Sequence, residues 1–166
     1  MTRASLLDGF ISLRPECADD AAFLLELYAS TREDELKLTG WGVATREAFV
    51  KMQFNNMRQG YAAMFPKAQF DVILLEQKPA GRLVVHRADD EIRIVDIALL
   101  PAFRNRGIGT FLLQKLFSEA ERENKPLRLH VLKSSRAAHF YERLVFGSVG
   151  EEGPYLKMEW RSKNQK

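Results

Sequence analysis

Leu99-Leu100-Pro101-Ala102-Phe103-Arg104-Asn105-Arg106-Gly107-Ile108-Gly109-Thr110 is the stretch from which the rest of this 166-residue chain can be read. It follows Ile92 to Leu99, a β-rich run that Pro101 ends by removing a ladder donor. It precedes Ile108, Leu112, Leu116 and Ala120, an apolar row at helical spacing with Leu113 and Phe117 alongside, closed by Asn124-Lys125-Pro126. A strand that runs into a long, core-facing helix through such a loop suits an anion. The first helical turn carries unpaired N–H groups and partial positive charge, and Gly107 and Gly109 lack the Cβ atoms that would keep a phosphate away. Arg104 and Arg106 add cationic donors. A plain strand-to-helix turn with two solvated arginines would show the same residues; the place directly after a buried-type strand favours the anion. A G-x-G-x-x-G fingerprint and a P-loop Lys-Ser/Thr pair are both absent.

Outward from that loop, the periodicity predicts the order β α α β β β α β α β β. Phe10 to Arg14 alternates as a first strand. Two helices follow, one capped by Asp19 or Asp20 and carrying Phe23, Leu24, Leu27 and Tyr28, the other capped by Thr45 and carrying Phe49, Met52 and Met57, with the Gly40-Trp41-Gly42 turn between. Phe70 to Glu76 and Leu83 to His86 read as a hairpin joined by Lys78-Pro79-Ala80-Gly81. Leu127 to Leu132 is a strand, Arg136 to Leu144 a short helix, and Phe146 to Gly150 with Tyr155 to Trp160 a last strand pair. The expectation is one α/β (α+β) domain over 1–160, with 161–166 a flexible tail.

Composition agrees with a folded single domain: 46% of residues are apolar and 28% charged, which disfavours disorder and low complexity. The net charge of +3 gives no ground for a nucleic-acid partner. Apolar runs are far shorter than a membrane span, and residues 1–10 lack a signal-peptide core, so no membrane partner is expected. A single cysteine, Cys17, excludes an internal disulfide framework and fits a reducing cytoplasm. Nothing beside it supplies the positive charge a nucleophilic thiolate needs. His86, His130 and His139 share no ligand spacing, so no metal is expected.

The R-x-x-G-x-G pattern of Arg104, Gly107 and Gly109 resembles the acetyl-CoA-binding motif of the GNAT N-acetyltransferase superfamily. Downstream, Ala137, Tyr141, Glu142, Leu144 and Phe146 resemble the family's A-x-x-x-Y-E-K-L-G-F segment, with Val145 in place of its Gly and Ser134 and Ser135 where the family often has Asn. The resemblance implies a mixed, mostly antiparallel sheet with a splayed parallel pair, Ile92 to Leu99 beside Leu127 to Leu132, and helices on both faces. It implies acetyl-CoA as cosubstrate, in the gap between those strands. Ile97 and Leu99 would then be backbone contacts for the pantetheine arm, Arg104, Asn105, Arg106, Gly107, Ile108, Gly109 and Thr110 would hold the pyrophosphate, and Ser134 and Ala137 would stand alongside. It also implies a homodimer in many members, although no interface is marked here.

Direct transfer to an amine of pKa ~10.4 requires removal of a proton, since only about one such amine in 2,500 is neutral at pH 7. Asp96, Glu91, His86 and His130 are candidate bases. Asp96 interrupts an apolar run, which suits a base and equally a structural partner for an arginine. The family position of Tyr141 places its phenol near the departing sulfur. Full proton donation to a thiolate is uphill by about 2 kcal/mol, so a hydrogen-bonding role serves as well as a formal acid; packing on a short helix is the alternative. Arg32-Glu33-Asp34-Glu35 and Trp41 are candidates for the acceptor entrance. Acetyl transfer to a primary amine of a small molecule or protein is the leading reading. A non-catalytic acyl-CoA-binding module is the alternative, and acetylation of a charged tRNA would need a basic groove.

Overall fold

The computed structural model describes residues 7–165. Its strands are β1 (Ile11–Pro15), β2 (Gln69–Leu75), β3 (Lys78–Arg87), β4 (Ile92–Leu99), β5 (Leu127–Leu132), β6 (Gly147–Glu152) and β7 (Tyr155–Trp160). Its helices are α1 (Ala21–Lys37), α2 (Val43–Met64), α3 (Ile108–Arg122) and α4 (Arg136–Arg143), with short 3-10 turns at Ala18–Asp20 and Pro101–Phe103. The strands form one sheet in the order β1-β2-β3-β4-β5-β7-β6, and every neighbouring pair is antiparallel except β4 and β5. This is the expected element order in one mixed-sheet domain.

Two apolar clusters cover opposite faces of the sheet. On one face the α3 row, Ile108, Phe111, Leu112, Leu113, Leu116 and Ala120, is buried against Ile73, Leu83, Val85, Ile92, Ile94, Leu127 and Leu129. On the other, Leu24 and Leu27 of α1 and Phe54 of α2 pack with Ala98 and Leu100. Strand β4 changes allegiance part-way. Its register against β3 slips between Val84 opposite Asp96 and Val85 opposite Ile94, so Val95 is a bulge residue. After the bulge, Ile97 and Leu99 join the α3 core while Asp96 and Ala98 face α1 and α2.

Beside this bulge the parallel ladder stops. Strands β4 and β5 pair only at Ile92 with Leu127, Arg93 with Arg128 and Ile94 with Leu129, and beyond that they diverge. The closed end of this fork is pinned by charge. Glu91 bonds Arg93 at 3.1 Å and reaches Arg128 on β5 at 3.2 Å, and Arg128 in turn bonds Glu159 on β7 at 2.7 Å. Two arginines directly opposite each other would repel; the carboxylates on either side turn the pair into a clamp.

Several local expectations are corrected. The β2–β3 hairpin turns at Glu76-Gln77, both with positive φ, and Lys78-Pro79-Ala80-Gly81 belongs to β3. A two-residue turn of left-handed pairs matches strand twist, and Pro79 is tolerated beside the bulge between Ile73 and Leu74. Helix α2 starts at Val43 after Gly42, ahead of Thr45. Asp20 does not cap α1 with its side chain: it forms a two-pronged pair with Arg14, at 2.7 and 2.8 Å, and accepts from the Cys17 N–H. The expected tail is held, because buried Ser162 donates to Glu121 at 2.7 Å and the Gln165 amide reaches the Ala120 and Lys125 carbonyls.

Gly81 sits opposite Leu99, and a Cβ there would run into the Ala98 carbonyl oxygen. Gly81→Ala is therefore expected to push β3 from β4 and lower stability by about 1 to 3 kcal/mol. Urea denaturation reads this as an earlier midpoint; an unmoved midpoint would show that the strands have room.

Candidate functional site

The open arm of the fork leads into a cavity of about 730 Å³. Its floor is β4 from Ile94 to Ala98 and β5 from Leu129 to Leu132; α1 and α2 wall one end with Tyr28, Arg32, Glu35, Gln53 and Tyr61; α4 closes the other with Ala137 and Tyr141. The bulge aims Asp96 into this space, with 26% of its side chain exposed. Burial raises its pKa to about 6, against the pull of Arg82 and with a further push from Glu16. Its carboxylate is thus a stronger base than an ordinary aspartate and still ionised at neutral pH.

Tyr141 lines the same cavity as Asp96, its buried ring packed edge-on against Phe146. Burial, then the negative charge of Asp96, pushes its phenol above the ordinary tyrosine range. It therefore stays protonated at neutral pH, with a proton to donate. Burial and the same carboxylate push Tyr61 upward too.

Polar backbone lines the fork itself. The Leu100 N–H donates to Ala80 on β3 at 2.9 Å, so by strand alternation the peptide groups of Ile97 and Leu99 point the other way, toward the missing ladder. Just beyond, Asn105 and Gly107 take positive φ of 59° and 86°. Gly107 caps α3 without any side-chain bond, and among the described residues none of the peptide N–H groups from Asn105 to Thr110 donates to a protein acceptor. These donors and the positive end of α3 sit in the loop that directly follows β4, and none of the residues from Leu99 to Thr110 is part of the cavity wall.

The cavity sorts the four candidate bases. Asp96 and His130 line it; Glu91 belongs to the clamp, and His86 packs at a tilt against the Phe65 ring. His130 is held below its ordinary pKa, first by burial and then by Arg93. Arg32 and Glu35 reach the cavity wall, while Glu33, Asp34 and Trp41 lie outside it, the last packed edge-on against Phe49. Ser134 lies outside the cavity wall, and its neighbour Ser135, the cap of α4, is in it.

Two loop residues do work different from that expected. Gly109 leaves room for the Phe140 ring, 3.3 Å from where a Cβ would stand, so it is a packing glycine between α3 and α4. Arg104 is no free cation: it donates to the Leu99 carbonyl at 2.9 Å and reaches the Ser30 hydroxyl of α1 at 3.3 Å. Arg106 lies over the Phe103 ring. The sequence reading missed Arg82, Glu16 and Tyr61. Arg82 was detectable, for it breaks the apolar run Gly81 to Val85 as Asp96 breaks its own; Glu16 and Tyr61 carry no such signal.

Residues 66–146 match the family model described as an acetyltransferase (GNAT) domain. Over that segment the chain is a domain of the GNAT superfamily. No curated protein matches its sequence. Among solved structures, the PaiA N-acetyltransferase of Thermoplasma acidophilum in complex with coenzyme A superposes with a TM-score of 0.67 at 16% identity, over 92% of this chain and 99% of that one. An acetyltransferase from Thermus thermophilus gives 0.66 at 19%, over 92% and 97%. A GNAT family acetyltransferase from Elizabethkingia anophelis with acetyl-CoA bound gives 0.58 at 16%, over 92% and 99%. Identity at this level is a likeness of fold.

In this GNAT domain the matched segment runs from just before β2 to just after α4, so it holds the fork, the α3 loop and Tyr141, while α1 and α2 lie outside it. Among the described residues no helix is long and apolar enough to cross a membrane, and no cluster of metal-ligating side chains occurs.

A carboxyl group at about 6 in the fold and about 3.9 unfolded stabilises the protein fully below pH ~4, and that contribution disappears as pH rises through 6. Asp96→Asn is expected to raise the unfolding free energy at pH 8 by about 2 kcal/mol, with the gain vanishing near pH 4. Denaturation at both pH values checks it; an equal effect at both would remove the raised carboxyl.

Proposed function

We propose that the protein is an N-acetyltransferase that moves the acetyl group of acetyl-CoA directly to a primary amine of a small molecule or protein. The observation that carries this reading is the fork between β4 and β5: a strand edge without ladder partners at Ile97, opening on a cavity that Asp96 and Tyr141 both line, with N–H groups from Asn105 to Thr110 that have no protein acceptor in the loop that follows β4. The fit to the cosubstrate is one of chemistry. An unpaired edge suits pantetheine amides, and a ring of peptide donors at a helix start suits a pyrophosphate.

Acetyl-CoA supplies an activated thioester, so that the acceptor nitrogen gains a C–N bond, the C–S bond breaks, and the products are an amide and a free thiol. The residues of the chain do the rest. Ile97 orients the arm with its peptide group and Leu99 with its N–H, the Leu99 carbonyl being bonded to Arg104. Asn105, Arg106, Gly107, Ile108 and Thr110 hold the phosphates, and Arg104 stands at the end of β4 with donors left over after Leu99 and Ser30. Ala137 and the turn at Ser134 and Ser135 flank the arm on the α4 side.

Asp96 takes the proton from the incoming ammonium. With its pKa near 6, it is mostly ionised at pH 7 and closer to the amine in basicity than an exposed aspartate would be. Tyr141 donates a hydrogen bond toward the leaving sulfur. Its raised pKa makes outright loss of the proton costlier than for a free phenol, so it acts by bonding, with the proton of the thiol drawn from the amine. A cytoplasmic location, where the lone thiol stays reduced, belongs to the same reading.

Titration calorimetry with acetyl-CoA, followed by thiol release over a panel of amines, tests the proposal; binding with no turnover on any amine would favour a non-catalytic acyl-CoA module. Tyr141→Phe is expected to lower kcat by about 10- to 100-fold while acetyl-CoA affinity changes little. Unchanged kcat would take Tyr141 out of the mechanism. Gly107→Val should weaken acetyl-CoA binding about tenfold or more, since valine resists a φ of 86° and its Cβ enters the phosphate space. Undiminished affinity would count against the loop.

A further inference from the structure

We propose that Arg82 is a positioning residue for Asp96, its guanidinium shared with Glu16 so that the Asp96 carboxylate is held in the cavity without being fully paired. This rests on the reading above, in which Asp96 takes the proton of the acceptor. Register places the two residues. Arg82 lies opposite Ala98 and Val84 opposite Asp96, which makes Arg82 and Asp96 diagonal neighbours on the face toward α1 and α2.

The surroundings of Arg82 leave its guanidinium little freedom. Its side chain is only 3% exposed and lies between the rings of Tyr61 and Phe70, at 5.8 and 5.5 Å. Its Nε stands 2.8 Å from Glu16 Oε1, while its Nη1 stands 4.0 Å from Asp96 Oδ2. Neither Arg82 Nε nor Glu16 Oε1 has an aligned hydrogen bond, so the closer contact is one of charge. Glu16 is fixed in turn by its N–H, which donates to Phe70 at 3.0 Å.

The division of one cation between two carboxylates is what the chemistry requires. A two-pronged bond from Arg82 would use the lone pairs of Asp96 and make it a weak base, as Arg14 does to Asp20. With no cation nearby, burial would leave Asp96 protonated at neutral pH and unable to accept. Glu16 draws the guanidinium aside and adds its own negative charge, and Asp96 is left between the two extremes. The other groups around Asp96 are Tyr61 of α2, Tyr141 of α4 and the N–H of Ile97 on its own strand; Arg32 and Glu35 of α1 and His130 of β5 line the same cavity, and Arg58 acts on Glu16.

The test is the titration of the Asp96 carboxyl carbon by NMR in cofactor-free protein labelled with 13C-aspartate, its signal assigned by loss in Asp96→Asn. Wild type should titrate near 6. Glu16→Gln removes the competing charge and keeps the shape, so the midpoint should fall by about half a unit or more. The acid limb of kcat/KM should move down with it. Arg82→Gln should move the midpoint up; should that variant not fold, Glu16→Gln decides alone. An unmoved Asp96 midpoint in folded Glu16→Gln overturns the proposal, even if transfer is intact. A lowered midpoint in a protein that acetylates no amine supports the pairing and sinks the function instead.

Discussion

A parallel ladder that ends after three residue pairs is the constraint on which this molecule depends. A sheet edge inside a protein is normally closed, because unpaired peptide groups away from water are costly. Here the bulge at Val95 swings β4 away from β5, and the edge is left facing a cavity. Two features keep the divergence from spreading. The clamp of Glu91, Arg93, Arg128 and Glu159 holds the strands together below the fork, and the close approach of Gly81 to Ala98 ties the free arm of β4 to β3. The fork is thus braced on its closed side and on its outer side, and only the side toward a ligand is open.

From that opening the positions of the remaining parts follow. Pro101 stops β4, a 3-10 turn redirects the chain, and Gly107 in the left-handed region starts α3 with its first N–H groups unclaimed. The same bulge that opens the ladder reverses the faces of β4, which brings Asp96 to the α1 and α2 side. One extra residue in one strand therefore both creates the space and points an acid into it. Buried charge there is costly by itself; the Tyr61 and Phe70 rings and two carboxylates around Arg82 offset that cost without neutralising Asp96.

Much of this was legible from residue order alone, for reasons that differ along the chain. The α3 row and the strand runs follow from simple periodicity, and all eleven helices and strands of the expected order are present. The loop was legible because backbone that must approach a phosphate or turn sharply needs glycine, and Gly107 supplies it. Gly109 carried the same signal for a different reason: it makes room for Phe140, a contact no local pattern contains. The turn at Glu76-Gln77 was missed because neither residue is one that left-handed turns favour, while the neighbouring Pro79-Ala80-Gly81 has turn composition and strand structure.

The contrast between the two ends of the cavity has a physical origin. At the fork and the α3 loop, recognition is carried out by peptide groups, and the sequence must then respect backbone geometry: a proline here, a glycine at fixed distance there. Such demands leave a pattern, and the family match covers that half. At the α1 and α2 end, recognition is left to side chains, among them Tyr28, Arg32, Glu35 and Gln53, set on two helices whose backbones are already satisfied. Arg32 is positioned there by the Tyr28 hydroxyl and by Glu35, contacts any pair of helical turns can make. Those positions can exchange one polar residue for another without disturbing the fold, so no spacing records them. On the proposed function, the donor end rests on backbone geometry and the acceptor end on side chains, which is why the motif speaks for the thioester and is silent on the amine.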